Sequence, residues 1–410
     1  MQIFLVGGAV RDQLLGLPIK DKDWVVVGST VEQMINDGYQ QVGADFPVFL
    51  HPKTKDEFAL ARTERKTAKG YKGFECFSDP SVTLEDDLVR RDLTINAIAQ
   101  SEAGELIDPY GGRNDIENKT LRHVSEAFIE DPLRVLRLAR FYARFAHLGF
   151  EVAPETINLM KQMVDSGELN ELVPERVWAE MQKALSEKNP EMFFILLRQI
   201  GALNVILPEL DALYGVPQPM LYHPEVDCAI HSLQVLQVAC SLSKNTNVRF
   251  ASLLHDLGKG KSPQDNLPHH YGHEQTGEFV IRKLSKRLKL PNKTAQLCQL
   301  VAKYHTHTHR AHELKSKTIL KVFQAFGALK NDTLFEQFLL CCEADAKGRS
   351  GFLNSEYPNS QYLRELLAQA KTVTSTKYVE LGLQGPQIGE AMNKAQIHMI
   401  DTKRKSLYTV

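Results

Sequence analysis

Within the first twenty-eight residues, the run IFLVGGAVRDQLLGLPIKDKDWVVVG leaves little freedom in how the chain begins to fold. Ile3 to Val6 is apolar, too short for a helix, and stops at Gly7-Gly8, so it suits a buried strand ending in a tight turn. Paired glycines also let a ligand approach the backbone closely, which makes Gly8 a candidate contact. Ala9 to Leu17 has helical character, so the amides of the turn and of the helix N-terminus would face an anion, with Arg11 in that first turn as its partner. Asp21-Lys22-Asp23 then runs into Trp24-Val25-Val26-Val27, a β-branched and aromatic run that favours strand. On a strand, residues i and i+2 share a face, so Asp21 and Asp23 project together while Lys22 points away. Two carboxylates so placed are the hard donors that Mg²⁺ bridging to substrate phosphates requires. Singly, a Gly-Gly pair is usually only a turn and an Asp-x-Asp only a loop end; their order along the chain is what is specific.

That order, strand, Gly-Gly turn, arginine, Asp-x-Asp strand, resembles the nucleotidyltransferase superfamily of DNA polymerase β, in particular its class II branch of tRNA CCA-adding enzymes and bacterial poly(A) polymerases. The resemblance implies an α+β chain, with a polymerase-β-like head on a mixed sheet over residues 1–125. Glu57, ahead of the strand Phe58 to Ala61, would be a third catalytic carboxylate. The run RRDLTINA at 90–97 matches a family motif in which Arg91 contacts the triphosphate. By residue chemistry alone, Arg91 is a helix-surface arginine paired with a neighbouring acid, on a helix read over 84–99. Leu106 to Gly112 is a strand ending in a turn, also familiar from that family.

Composition sets the outer limits. At 410 residues, 43% hydrophobic and 24% charged, the chain has room for two to four globular domains. A net charge of −1 excludes a general polyanion coat, so nucleic-acid contacts must come from local basic patches. The six cysteines form no C-x-x-C pair and read as reduced core thiols of a cytoplasmic protein. No apolar run approaches a membrane span.

One basic patch is RTERKTAKGYKG, 62–73, where Arg62, Arg65, Lys66, Lys69 and Lys72 face a single acid. It reads equally as a mobile loop closing on a nucleotide or RNA and as a solvated surface loop. A sharper signal is EDPLRVLRLARFYARF, 130–145. Asp131 before Pro132 caps a helix start. At about 100° per residue, Arg134, Arg137, Arg140 and Arg144 share about a third of the circumference, and a stripe of one sign calls for an anionic partner. The stretch matches the EDxxR motif of class II CCA-adding enzymes. By that resemblance Asp131 and Arg134 read the base edge of CTP and then ATP, with Arg137 and Arg140 holding phosphates or base. The alternative for Asp131 is plain capping. Residues 126–225 read as a helical neck and body, punctuated by Pro154, Pro174, Pro190 and Pro208, with MFFILLRQIGALNVIL as one buried helix. The resemblance makes this part the cradle for the nucleotide and the tRNA acceptor arm.

A second constellation lies at 226–345. His231 opens the helical run HSLQVLQVAC, and twenty-four residues later FASLLHDLGKGK places His255 beside Asp256 ahead of a glycine turn. With the later acid of CCEADAKGR, this resembles the HD phosphohydrolase superfamily. There His231, His255, Asp256 and Asp345 would hold one divalent metal, Ni²⁺, Mn²⁺ or Mg²⁺. His269, His270, His273 and His305 are candidate extra ligands or substrate contacts. Residues 346–410 read as a helical C-terminal region, including a helix Pro386 to Ile400.

A nucleotidyltransferase head, helical body and HD module in one chain resemble multifunctional members of the CCA-adding family. That implies untemplated building and repair of tRNA 3′-terminal CCA from CTP and ATP. It also implies an HD module with 2′,3′-cyclic phosphodiesterase, 2′-nucleotidase and phosphatase activity. Expected partners are tRNA, CTP and ATP, with no membrane, in a monomer or homodimer. Two alternatives remain: a poly(A) polymerase of the same class, and an HD phosphohydrolase whose head only binds RNA.

Overall fold

The structure, a computed structural model, describes residues 1–42, 48–66 and 74–408. These form two compact units, Met1–Ile206 and Leu207–Val410.

In the first unit, short β-rich runs form β1 (Gln2–Val6), β2 (Asp23–Val27), β3 (Gln40–Val42), β4 (Val48–Leu50), β5 (Glu57–Leu60), β6 (Thr63–Lys66), β7 (Phe74–Phe77), β8 (Ala99–Ser101) and β9 (Leu106–Ile107). Seven of them make one sheet in the order β3-β4-β5-β2-β1-β8-β9. β2 and β5 run parallel and the other neighbours antiparallel, so the sheet is mixed, as expected of an α+β head. The two-residue period decides what each face buries. Phe4, Val6 and Val25 pack with Leu84 and Leu88 on one face. On the other, Leu5 meets Ala9, Val10 and Ile98, and Val26 meets Met34 and Phe58. Val6 pairs with Asp23, and Asp23 with Glu57. One end of the sheet therefore presents the Gly7 turn and two carboxylates side by side. After the sheet, helix Leu133–Phe145 packs against Pro174–Ser186 and Glu191–Gln199, burying Phe145, Phe193 and Phe194.

Several elements differ from the sequence reading. The helix read over 84–99 ends at Val89. Asp92 Oδ1 accepts from the Leu93 amide and from Asn96 Nδ2, at 2.9 Å each. This local side-chain bonding competes with the helical ladder and turns the chain. MFFILLRQIGALNVIL is two helices, Glu191–Gln199 and Ala202–Ile206, separated at the left-handed Gly201. Asp21 precedes β2 rather than lying on it. Within the basic stretch, 63–66 is strand β6, paired with β7; residues 67–73, with Lys69 and Lys72, lie outside the described residues.

The second unit is helical among the described residues. Its HD segment comprises Cys228–Leu242, Thr246–Leu254, His273–Arg287, Asn292–His309, Ser316–Ala325 and Thr333–Gly348. Asp227 caps the first of these, accepting from the Ala229 and Ile230 amides, so that helix starts three residues before His231. The last helix, Pro386–Tyr408, runs past the expected Ile400. Cys228, Cys298, Cys341 and Cys342 are free and buried, as expected of core thiols, whereas Cys240 is only partly buried. No helix among the described residues is long and apolar enough to cross a membrane.

Candidate nucleotide cleft and candidate metal centre

At the end of the sheet marked by Gly7 lies a cleft of about 550 Å³. Gly7 has φ 68°, and a Cβ there would come within 2.9 Å of Arg91 Nη1, so glycine serves both the turn and the close approach of that guanidinium. Gly7, Gly8, Asp23, Glu57 and Arg91 all line the cleft. Asp21 and Asp23 are both exposed at this end of the sheet. Partial desolvation raises the Asp23 pKa; Arg91 opposes this and the neighbouring Asp21 reinforces it. A cation would relieve both the desolvation and the repulsion, so this all-oxygen pair fits Mg²⁺. Strand register sets Glu57 beside Asp23.

The facing wall comes from helix Leu133–Phe145, and here the structure corrects the reading of its arginines. All four line the cleft, yet most of their anionic partners are the chain's own. Arg137 donates twice to Asp92 Oδ2, at 2.9 and 2.7 Å; Arg140 donates to Glu180 at 2.7 Å; Arg144 donates to Asp12 at 2.8 Å. Arg134 donates to the Ala127 and Arg90 carbonyls at 2.7 Å each. Fixed this way, the guanidiniums keep their positions before any ligand arrives. The cleft remains positive, with nine arginines against four carboxylates among its described lining residues.

Arg11 also differs from expectation. It is 2% exposed, donates through Nε and Nη2 to Asp12 and through Nη1 to Asn96, and lies over the Phe141 and Phe145 rings. It forms part of the cleft's floor with three donors already committed. Arg91 bonds the buried Asp87 at 3.1 Å, so the neighbouring-acid reading holds, and it still reaches over the turn. Asp131 accepts from the Leu133 amide at 3.0 Å, so it does cap, while Oδ2 faces Arg176 at 3.4 Å on the cleft's rim. Sequence reasoning missed Arg176, because one arginine in a helix's first turn carries no periodic signal.

In the second unit, His231, His255, Asp256 and Asp345 converge. His231 Nε2 lies 3.0 Å and His255 Nε2 3.5 Å from Asp345 Oδ1, and His255 Nε2 lies 3.1 Å from Asp256 Oδ2. Tight packing sets this up. A side chain at Gly258 would run into the His273 carbonyl and the Gly277 amide, so only glycine lets the turn after Asp256 press on the next helix. At Gly348 a Cβ would come within 2.8 Å of the Val235 Cα, a close helix crossing that brings Asp345 to His231. The surrounding partners fix the rings: His255 Nδ1 donates to the Ser252 carbonyl at 2.7 Å, and Glu225 lies 2.8 Å from His231 Nδ1. His255 Nε2 and Asp256 Oδ1, both buried, have no aligned hydrogen-bond partner. Burial opposes a charged His255, but Asp256 and Asp345 prevail and push it up to about 10. Imidazole nitrogens and carboxylates converging in a buried cluster are a donor set that fits a divalent metal, which would take the place of the proton these carboxylates otherwise hold on His255.

Sequence reasoning missed Lys259, which reaches Asp256 at 2.6 Å, and His309, which lies 2.7 Å from Asp345 Oδ2. The i, i+4 spacing of His305 and His309 was the available signal for the latter. His269 is exposed against Tyr271, and His270 bonds Ser262 and the Pro217 carbonyl, so neither belongs to the cluster.

A phosphate-fitting cleft on a mixed-sheet head and a separate His/Asp centre on a helical bundle define a polymerase head combined with an HD domain. Family models agree: the Poly A polymerase head domain matches residues 3–122, the "Probable RNA and SrmB- binding site of polymerase A" matches 149–214, and the HD domain matches 228–333. The chain is 54% identical over 400 residues to the multifunctional CCA protein of Teredinibacter turnerae, covering 98% of this chain and 97% of that one. It is 53% identical over 412 residues to that of Mannheimia succiniciproducens, covering 99% and 98%. The chain belongs to the multifunctional CCA protein family. Its fold is shared with a CCA-adding enzyme solved with CTP (TM-score 0.64, 22% identity, 98% of this chain and 87% of that one). It is also shared with the Thermotoga maritima CCA-adding enzyme complexed with tRNA (TM-score 0.62, 21% identity, 99% and 91%).

Proposed function

We propose that this protein adds and repairs the 3′-terminal CCA of tRNA from CTP and ATP without a template, in the cytoplasm, and that its HD module hydrolyses phosphoesters at RNA ends. The observation that carries the reading is the convergence of the Gly7-Gly8 turn, Asp23, Glu57 and Arg91 at one end of the sheet, opposite Asp131 and the fixed arginines. The names of relatives over half identical along nearly the whole chain support it.

The division of labour follows: a head (1–125), a neck and body for base selection and tRNA (126–225), the HD domain (226–345) and a helical C-terminal region (346–410). Asp21 and Asp23 hold Mg²⁺, which, when bound, neutralises triphosphate charge and favours ionisation of the attacking 3′-hydroxyl. The Gly7-Gly8 turn admits the phosphates, Arg91 pairs with them, and Arg11 holds the floor through Asp12 and Asn96. Asp131 and Arg134 present an acceptor and donors to the base edge, and Asp92 and Glu180 keep Arg137 and Arg140 aimed at nucleotide. In the HD module, His231, His255, Asp256 and Asp345 hold Ni²⁺, Mn²⁺ or Mg²⁺, which polarises a phosphoester. Cyclic 2′,3′-phosphates, 2′-phosphates and simple phosphomonoesters are the substrates proposed there.

The test is incubation of tRNA lacking its CCA end with CTP, ATP or both, alongside hydrolysis of a 2′,3′-cyclic nucleotide. Asp23→Asn removes addition and spares hydrolysis, and Asp256→Asn does the reverse. Incorporation of A alone would instead make the protein a poly(A) polymerase, and addition by the folded Asp23 variant would refute the head assignment.

A further inference from the structure

The cavity beside the His/Asp centre holds about 420 Å³, the size of an ordinary small-ligand pocket. Histidines aside, its described lining residues set three carboxylates, Asp256, Asp345 and Glu356, against two cations, Lys259 and Arg349. A phosphoester entering such a cavity needs a cation with donors to spare. Most polar groups on the wall are already engaged. Lys259 is held by Asp256 at 2.6 Å and by Gln218 at 2.8 Å. Asn359 donates to the Thr308 and His309 carbonyls, Thr306 to Glu274, and Ser355 to the Phe352 carbonyl.

Arg349 is the exception. Its Nε donates to the Ala346 carbonyl at 3.0 Å, and among the described residues no carboxylate pairs with it, although Glu356 lines the same cavity. The N–H groups of Nη1 and Nη2 stay uncommitted, and together they form the fork that matches two oxygens of a phosphate. The Phe352 ring centre lies 4.3 Å from the guanidinium carbon, which supports that plane on one side. In the head cleft, Arg137, Arg140 and Arg144 are fixed by acids that also neutralise them. Here a carbonyl and a ring do the fixing, so the charge is left whole. Arg349 directly follows helix Thr333–Gly348, four residues after Asp345, and about 6 Å of helix rise separates the two. One helix therefore delivers an assigned metal ligand and an unpaired cation to one cavity from neighbouring turns.

We propose that Arg349 binds the phosphate of the HD module's substrate, its two Nη groups donating to two non-bridging oxygens while Phe352 and the Ala346 carbonyl hold the guanidinium in place. The proposal rests on the phosphoester-hydrolase reading of this cavity and names the residue that recognises the substrate in it. Any phosphate with two free oxygens satisfies the fork without a contact to base. Cyclic phosphates, 2′-phosphates and free inorganic phosphate are therefore held by the same side chain.

The test measures hydrolysis of 2′,3′-cyclic adenosine monophosphate by the Mn²⁺-loaded full chain, with inorganic phosphate as competing ligand. By removing a charge-assisted bidentate contact, Arg349→Met should raise both KM and the phosphate inhibition constant about ten- to a hundredfold. The Mn²⁺ concentration giving half-maximal activity should stay the same, because among the described residues Arg349 contacts none of the assigned ligands. Arg349→Lys, with the charge but not the fork, should fall between the two, and it decides the matter by the same constants if Arg349→Met does not fold. Unchanged KM and phosphate inhibition in a folded, active variant overturn the proposal and leave the hydrolase reading intact. A shift confined to kcat, to the Mn²⁺ constant or to the melting temperature does the same, since each marks a role in the helix end or in placing Asp345. A wild type that hydrolyses nothing overturns the hydrolase reading itself, and the proposal with it.

Discussion

Replacing Asp92 by asparagine tests whether the arginine wall is held in place by the protein itself. Asp92 is 7% exposed; Oδ1 is bonded to Leu93 and Asn96, and Oδ2 takes both Arg137 bonds. An asparagine can keep the Oδ1 contacts, but it turns an amide donor toward a guanidinium. Breaking a buried pair costs about 3–5 kcal/mol. The Arg137 side chain is 37% exposed, so water recovers part of that, and about 2–3 kcal/mol is expected at pH 7. Burial pushes the Asp92 carboxyl upward, but Arg137 and Asn96 outweigh it and hold it well below the usual carboxylate range. A depressed folded pKa means the stabilisation is fully present above the unfolded value of about 3.9 and is lost as pH falls toward the folded value. The gap between wild type and variant should therefore be constant from pH 7 to 5 and then close by about 1.4 kcal/mol per unit below 3.9. Urea unfolding followed by tryptophan fluorescence is the assay, because both tryptophans, Trp24 and Trp178, lie in the first unit and report it selectively. Equal midpoints at pH 7, or a gap that does not narrow at pH 3.5, would refute the reasoning.

The remaining predictions concern the floor, the base reader and the HD turn. Arg11→Met should cost about 2–3 kcal/mol, because the buried Asp12 loses its two bonds from Arg11 while keeping the one from Arg144, read by the same fluorescence; intact stability with weakened triphosphate binding would make Arg11 a ligand contact instead. Asp131→Ala should erode discrimination against UTP and GTP more than it slows addition; a lower melting temperature with unchanged selectivity would leave only a cap worth about 1 kcal/mol. Gly258→Ala should abolish cyclic phosphodiesterase activity by forcing the turn off the His273 helix, while CCA addition persists; retained hydrolysis would show that the close approach is dispensable.

What the sequence made legible was local. The strand, glycine turn and Asp-x-Asp run were readable because period and turn chemistry act over a few residues, and the structure places the turn and Asp23 on one cleft. The HD candidates His231, His255, Asp256 and Asp345 were readable from His-Asp adjacency and family spacing, and the structure brings the four side chains together. The arginine stripe was visible as a stripe, but not as a paired one. Its acids, Asp12, Asp92 and Glu180, lie 132, 45 and 40 residues away from the arginines they bind, and no periodicity spans such separations. Likewise the early end of the helix at Val89 depends on where Asp92 aims its oxygen, a choice made by the turn it stabilises. His273 was a candidate among many histidines; the packing of Gly258 against the helix it opens, which no local pattern announces, is what separates it from His269 and His270.

On the proposed function, a fixed protein surface, without a nucleic-acid template, dictates the added sequence. The most direct measurement of this is 3′-end sequencing of tRNA that lacks CCA after incubation with the full chain and all four nucleoside triphosphates together. Extended ends should read C, C and A and stop there, and Asp23→Asn should leave every end unextended. Runs of A, incorporation of U or G, or extension by the Asp23 variant would contradict it.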